Sequence, residues 1–119
     1  MKATIFERCG GFGAVSRIVL SFYDRVSDSD QLAPYFEDVD MGRLIDHQTK
    51  FISSLMGGPA SFDDATLERV HARLAISSEA FDEMAGLLQE TLEDFDLSPE
   101  DTAHVMGEFR RRRALVVTG

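Results

Sequence analysis

The chain has 119 residues, enough for one domain (1–119) around a single core, and its 44% hydrophobic and 28% charged content is that of a globular protein, not a disordered one. Twelve Lys and Arg against 21 Asp and Glu leave a formal net charge of −9, an acidic balance that repels phosphate backbones and argues against nucleic acid as a partner. The single cysteine, Cys9, excludes an intrachain disulfide and a thiolate cluster. No segment, the N-terminal one included, approaches the about 20 apolar residues of a membrane span or reads as a signal peptide, so a soluble, cytoplasmic protein is expected.

In chain order, turn signals cut the sequence into helical pieces without strand-like alternation. Gly10-Gly11-Phe12-Gly13 separates a short N-terminal segment from a helix predicted over Ala14 to Val26, whose stripe is Val15, Ile18, Val19, Phe22, Tyr23 and Val26. Asp28-Ser29-Asp30 ends it. Leu32-Ala33-Pro34-Tyr35-Phe36 is expected to be a short bridge, because proline disfavours helix in the residue before it. Asp40 is a plausible cap for a helix carrying Met41, Leu44, Ile45, Gln48, Phe51, Ile52 and Leu55 on one broad face, stopped by Gly57-Gly58-Pro59.

A loop through Phe62-Asp63-Asp64 leads to a short predicted helix holding Leu67, Val70, His71 and Leu74. Ser77 or Ser78 can cap the next, with Phe81, Met84, Ala85, Leu88, Leu92 and Phe95 along it. Ser98-Pro99-Glu100-Asp101 is a strong start signal of cap, first-turn proline and two acids at the positive end of the dipole. The last helix is expected to carry Val105, Met106, Phe109 and Val116, with Arg110–Arg113 as a solvated face near its end.

Three polar residues break the apolar pattern. Tyr23 and Gln48 lie on the stripes of their helices, and His71 lies among Leu67, Val70 and Leu74. Singly each has an ordinary explanation: a satisfied core histidine, a tyrosine with its oxygen at the surface, an amide at a stripe's edge. Together, pointing inward from three helices, they form the pattern of a site. A zinc centre wants four ligands, whereas three His and one Cys stand at wide spacing; there is no His-Glu-x-x-His, no Cys-x-x-Cys and no P-loop. Haem needs less: one neutral imidazole, apolar walls and a few polar groups near a bound gas. A haem-free helical interaction domain, with the three residues as packing groups, is the competing reading.

Several runs in order and spacing carry a resemblance. Ile5-Phe6-Glu7-Arg8-Cys9-Gly10-Gly11, Phe22-Tyr23-Asp24-Arg25-Val26, Leu32 to Met41, His47-Gln48-Thr49-Lys50-Phe51, Gly57-Gly58-Pro59, Val70-His71 and Ile76-Ser77 resemble the truncated haemoglobins. The likeness spans about Ile5 to Val116 and is nearest to the first group of that family. It implies an all-α, two-over-two helical sandwich enclosing haem, with His71 as the proximal iron ligand and Phe36 packed on the haem plane. Tyr23 would donate a hydrogen bond to bound O2, with Gln48 in support, and Leu44 would stand where ordinary globins place a distal histidine. Phe51, Leu67, Leu74, Ile76 and Phe81 would complete the haem contacts.

His47 is read two ways: as a sixth, distal iron ligand, or as a surface or propionate contact. The sequence departs from the family at Asp63-Asp64, where many members carry glycine, and at Ile52, where some carry a bulkier aromatic that gates a gas tunnel. Members that bond haem covalently use a histidine in the last helix; His104 stands earlier in that helix, so noncovalent haem b is expected. The resemblance implies reversible binding of O2, NO and CO, with nitric oxide dioxygenation as a reactive role. Turnover would need an external electron donor, because no flavin or nicotinamide motif is present. The alternatives are a hexacoordinate haem redox or electron-transfer protein and a haem-based gas sensor.

Overall fold

The computed structural model describes residues 4–37, 39–58 and 76–117. The predicted helix around His71, with Leu67 and Leu74, and the Asp63-Asp64 loop lie outside these residues.

Helix α1 (Ile5–Cys9) begins at Thr4 with a capping box: the Thr4 hydroxyl accepts from the Glu7 amide at 3.1 Å and the Glu7 carboxylate from the Thr4 amide at 3.1 Å. It ends at Gly10 (φ 117°), followed by Gly11 (φ 76°), two consecutive left-handed residues that only glycine adopts without strain. This turn starts helix α2 (Gly11–Ser27) three residues earlier than the stripe indicated. All six residues of that stripe are buried.

Ala33–Phe36 form a 3₁₀ turn within the expected short bridge. Pro34 occupies its first turn, where the missing amide proton has no intrahelical partner to lose. Helix α3 (Met41–Leu55) is capped by Asp40, which accepts from the Arg43 amide at 3.2 Å. Beyond it Gly58 passes so close to α1 that a Cβ there would lie 2.8 Å from the Phe6 ring. Helix α4 (Ser78–Asp94) is capped by Ser77, and α5 (Pro99–Arg111) by Ser98, each hydroxyl accepting at 3.1 Å from the amide three residues on.

The last helix is not continuous to Val116. It breaks at Arg112 and resumes as the short α6 (Arg113–Val116). Val117 then pairs with Ile76 in a parallel bridge, tying the chain's end to the entry of α4.

The architecture is the expected two-over-two sandwich. Helices α2 and α3 pack on each other, α4 and α5 do likewise, and α2 meets α4 while α3 meets α5. Phe22, Val26, Leu55, Phe81, Leu88, Leu92 and Met106 fill the space between the layers. Ion pairs fasten the rim: Arg8 to Asp101 at 2.7 Å, and Arg25 to Asp94, with Arg25 also reaching the Thr91 hydroxyl at 2.9 Å. Among the described residues no helix is long and apolar enough to cross a membrane.

Candidate functional site

A cavity of about 30 Å³, on the scale of one small molecule, lies between α2, α3, α4 and the end of α5. Among the described residues its walls are apolar (Val19, Phe22, Phe51, Ile52, Leu88 and Phe109 among them), with three polar side chains: Tyr23, Gln48 and Arg112.

Tyr23 reaches this cavity because it falls on the buried stripe of α2, four residues after Val19 and three before Val26. Its ring is held edge-on by Phe22, centroids 4.9 Å apart, and by Phe36 at 5.7 Å. Burial pushes its phenol well above the ordinary range, so it stays protonated and a hydrogen-bond donor at neutral pH. Among the described residues neither the Tyr23 hydroxyl nor the Gln48 amide has a hydrogen-bond partner. Two polar groups from different helices therefore border one small apolar space. A polar-tipped guest in that space would give either group a hydrogen-bond partner.

The two halves of α3 differ. Phe51, Ile52 and Leu55 are buried, while Met41, Leu44, Ile45 and Gln48 are only half-covered. Phe36 and Tyr35 are also half-buried. The donor set and the partly covered apolar surface fit a flat apolar cofactor carrying a small polar ligand. Phe81 and Ile76 are fully buried; Phe81 stacks on Phe109 with centroids 5.1 Å apart, as packing between α4 and α5. His47 is exposed, one residue and about 100° around α3 from Gln48. His71, Leu67 and Leu74 lie outside the described residues. Among those described, no cluster of His, Cys, Asp or Glu could hold a metal ion.

Arg112 escaped the reading of the sequence, which took Arg110–Arg113 as a solvated face. Two of these four arginines lie over aromatic rings: Arg112 is 5.9 Å from the Phe51 centroid and Arg113 is 5.2 Å from that of Phe81. The break at Arg112 re-aims the chain and turns that side chain onto the cavity wall. A basic run in one dimension gives no sign of such a break.

Residues 4–117 match the bacterial-like globin family. The chain is 30% identical over 117 residues to the group 1 truncated hemoglobin GlbN of Mycolicibacterium paratuberculosis, covering 98% of this chain and 86% of that protein. It is 34% identical over 103 residues to the group 1 truncated hemoglobin GlbN of Synechocystis sp., covering 83% and 82%. Among solved structures, the 2/2 hemoglobin of Synechococcus sp. in the cyanomet state, with covalently attached heme, superposes with a TM-score of 0.84 at 25% identity, covering 96% of this chain and 98% of that one.

Proposed function

The chain belongs to the bacterial-like globin family, among its group 1 truncated haemoglobins, and from that premise we propose that it binds O2, NO and CO reversibly at a noncovalent haem b held by His71. The observation that carries this reading is the pair of polar groups, Tyr23 and Gln48, that border one small apolar cavity without a hydrogen-bond partner among the described residues. When bound, haem supplies iron coordination of a diatomic and the redox chemistry that combines NO with O2 to give nitrate.

The chain's own residues do the rest. Tyr23, kept protonated by burial, donates its hydroxyl hydrogen to the outer atom of a polarised diatomic. Phe22 and Phe36 fix the ring that carries that hydroxyl. Gln48 adds a second donor from α3. Val19, Phe51, Ile52 and Leu88 exclude water, which strengthens both hydrogen bonds. Phe36 and Leu44 would offer apolar surface to the cofactor, and His71 would supply the imidazole that holds its iron.

The exposure of His47 favours its role as a surface or propionate contact, and so favours gas binding over a hexacoordinate redox protein. His104 is exposed on α5, in keeping with haem that is not covalently attached. Nitric oxide dioxygenation in a cytoplasmic setting, with reducing equivalents from an external donor, is the reactive role we assign.

Absorption spectra of the purified protein, ferric and ferrous, with and without CO, test the proposal. A Soret band that shifts with CO, and haem that extracts into acidified organic solvent, are expected. A colourless protein that takes up no added haem would overturn it.

A further inference from the structure

Among the described residues three large apolar side chains are exposed, and two of them, Phe12 at 44% and Leu20 at 46%, stand on α2. Ser16 lies midway between them, so the three form one ridge along the helix, with its smallest side chain at the centre. The Phe12 ring is fixed in this exposed place by an edge-on contact with buried Phe6, centroids 4.8 Å apart. An open groove of about 590 Å³ separates this part of α2 from α3, and Ser16 faces Asp46, Thr49 and Lys50 across it. Two of its lining residues, Gly13 and Gly42, carry no side chain, and a Cβ at either would meet nothing closer than 3.5 Å. The face therefore pairs an apolar ridge with empty room beside it, the form of a contact surface.

Charge indicates what covers it. The chain carries −9, so two copies repel over most of their surfaces. This face is different: from Gly10 to Tyr23 the only charged residue is Arg17, and the α3 side of the groove carries one acid and one base. Asp46 and Lys50 are both exposed and stand 3.5 Å apart one helical turn from each other, a pair that contributes little to the monomer. A two-fold axis crossing α3 midway between them sets each Asp46 against the Lys50 of the other copy. The same axis, crossing α2 at Ser16, sets each Phe12 toward the Leu20 of the other copy. A partner of one charge sign would match one of the two α3 charges and oppose the other.

We propose that this face of α2 and α3 is the interface of a two-fold symmetric dimer of the chain, with Phe12 and Leu20 as its apolar anchors and Asp46 and Lys50 paired reciprocally across the axis. The proposal stands apart from the gas-binding reading, because none of these observations involves haem.

Sedimentation velocity of the purified protein from roughly 10 µM to 1 mM tests it, and a reversible dimer with a Kd of about 10–300 µM is expected for a small interface. Phe12→Asp should weaken the dimer by about thirtyfold or more, the loss typical of an aromatic anchor. Gly13→Gln, where the new Cβ meets only the Arg17 guanidinium at 3.8 Å, leaves the fold intact and should also weaken it by filling the room beside the ridge. A chain that stays monomeric to about 1 mM, or a dimer untouched by both variants, would overturn the proposal.

The charge pair supplies the sharper test. Asp46→Lys takes the net charge from −9 to −7 and Lys50→Asp takes it to −11, so overall repulsion alone would strengthen the dimer in the first and weaken it in the second. Reciprocal pairing predicts that both weaken it, by roughly three- to tenfold, because each sets like charges opposite one another. The double variant Asp46→Lys/Lys50→Asp keeps −9 and should return to within about threefold of wild type. A double variant no better than the two singles, or a stronger dimer in Asp46→Lys, would overturn the two-fold arrangement.

Discussion

The two ends of α3 are made of similar residues and are treated differently by the fold. Phe51, Ile52 and Leu55, at its C-terminal end, are sealed between the layers, whereas Met41, Leu44 and Ile45, at its N-terminal end, stay half-covered. The sealed end makes the core; the open end holds apolar surface available. Gln48 sits at the junction and shares the cavity with Tyr23. The difference teaches that one amphipathic stripe can serve two purposes, with its inner half spent on stability and its outer half kept for a cofactor.

The largest effect is expected at the residue proposed to hold the haem. His71→Ala should abolish tight haem binding, or at least the spectrum of an imidazole-ligated iron, measured by haem stoichiometry and the Soret band. An unchanged band would mean that His71 does not hold the haem.

Next come the two leucines. Leu55→Ala, at a fully packed position, should cost about 2–5 kcal/mol in urea unfolding, and Leu44→Ala should cost clearly less while weakening haem retention. Equal stability costs, with haem retention untouched, would erase the distinction between the two ends.

A smaller effect is expected in alkali. Tyr23 has its phenol raised from 10.0 by burial, so its contribution to stability is fully present below about pH 10 and is lost as pH rises from there toward its folded value, because the unfolded chain ionises first. Tyr23→Phe should flatten that alkaline limb. A wild-type stability that does not fall there would mean that the phenol is not held in a dry site.

The smallest effect is predicted for His47→Leu. His47 lies on the open end of α3 but is exposed, so the resting spectra should be unchanged. Loss of a low-spin, six-coordinate spectrum in that variant would make His47 a distal ligand, one that also weakens at low pH as the imidazole protonates.

Much of this was legible in the sequence because it is carried by local rules. The caps Asp40, Ser77 and Ser98, the glycine turn at Gly10-Gly11 and the stripe through Tyr23 each depend on residues within a turn or two. What escaped depends on tertiary geometry. Thr49 and Ser53 are buried on α3 outside its apolar stripe, because each hydroxyl bonds back to the carbonyl four residues earlier, at 2.7 Å, and so enters the core already satisfied. The grading of α3 from open to sealed follows from which neighbours cover it, which periodicity does not encode. Arg112 turns onto the cavity through a helix break whose residues, Arg111-Arg112-Arg113, are all good helix formers.

The central claim is that Tyr23 acts as a hydrogen-bond donor to a polarised gas ligand, and the O2 and CO dissociation rates of Tyr23→Phe measure it most directly. Losing a hydrogen bond of about 1–3 kcal/mol should raise the O2 off-rate by about one to two powers of ten, with CO, whose outer atom carries less charge, affected much less. Equal changes for the two gases, or none for either, would contradict the account and leave Tyr23 as a packing residue.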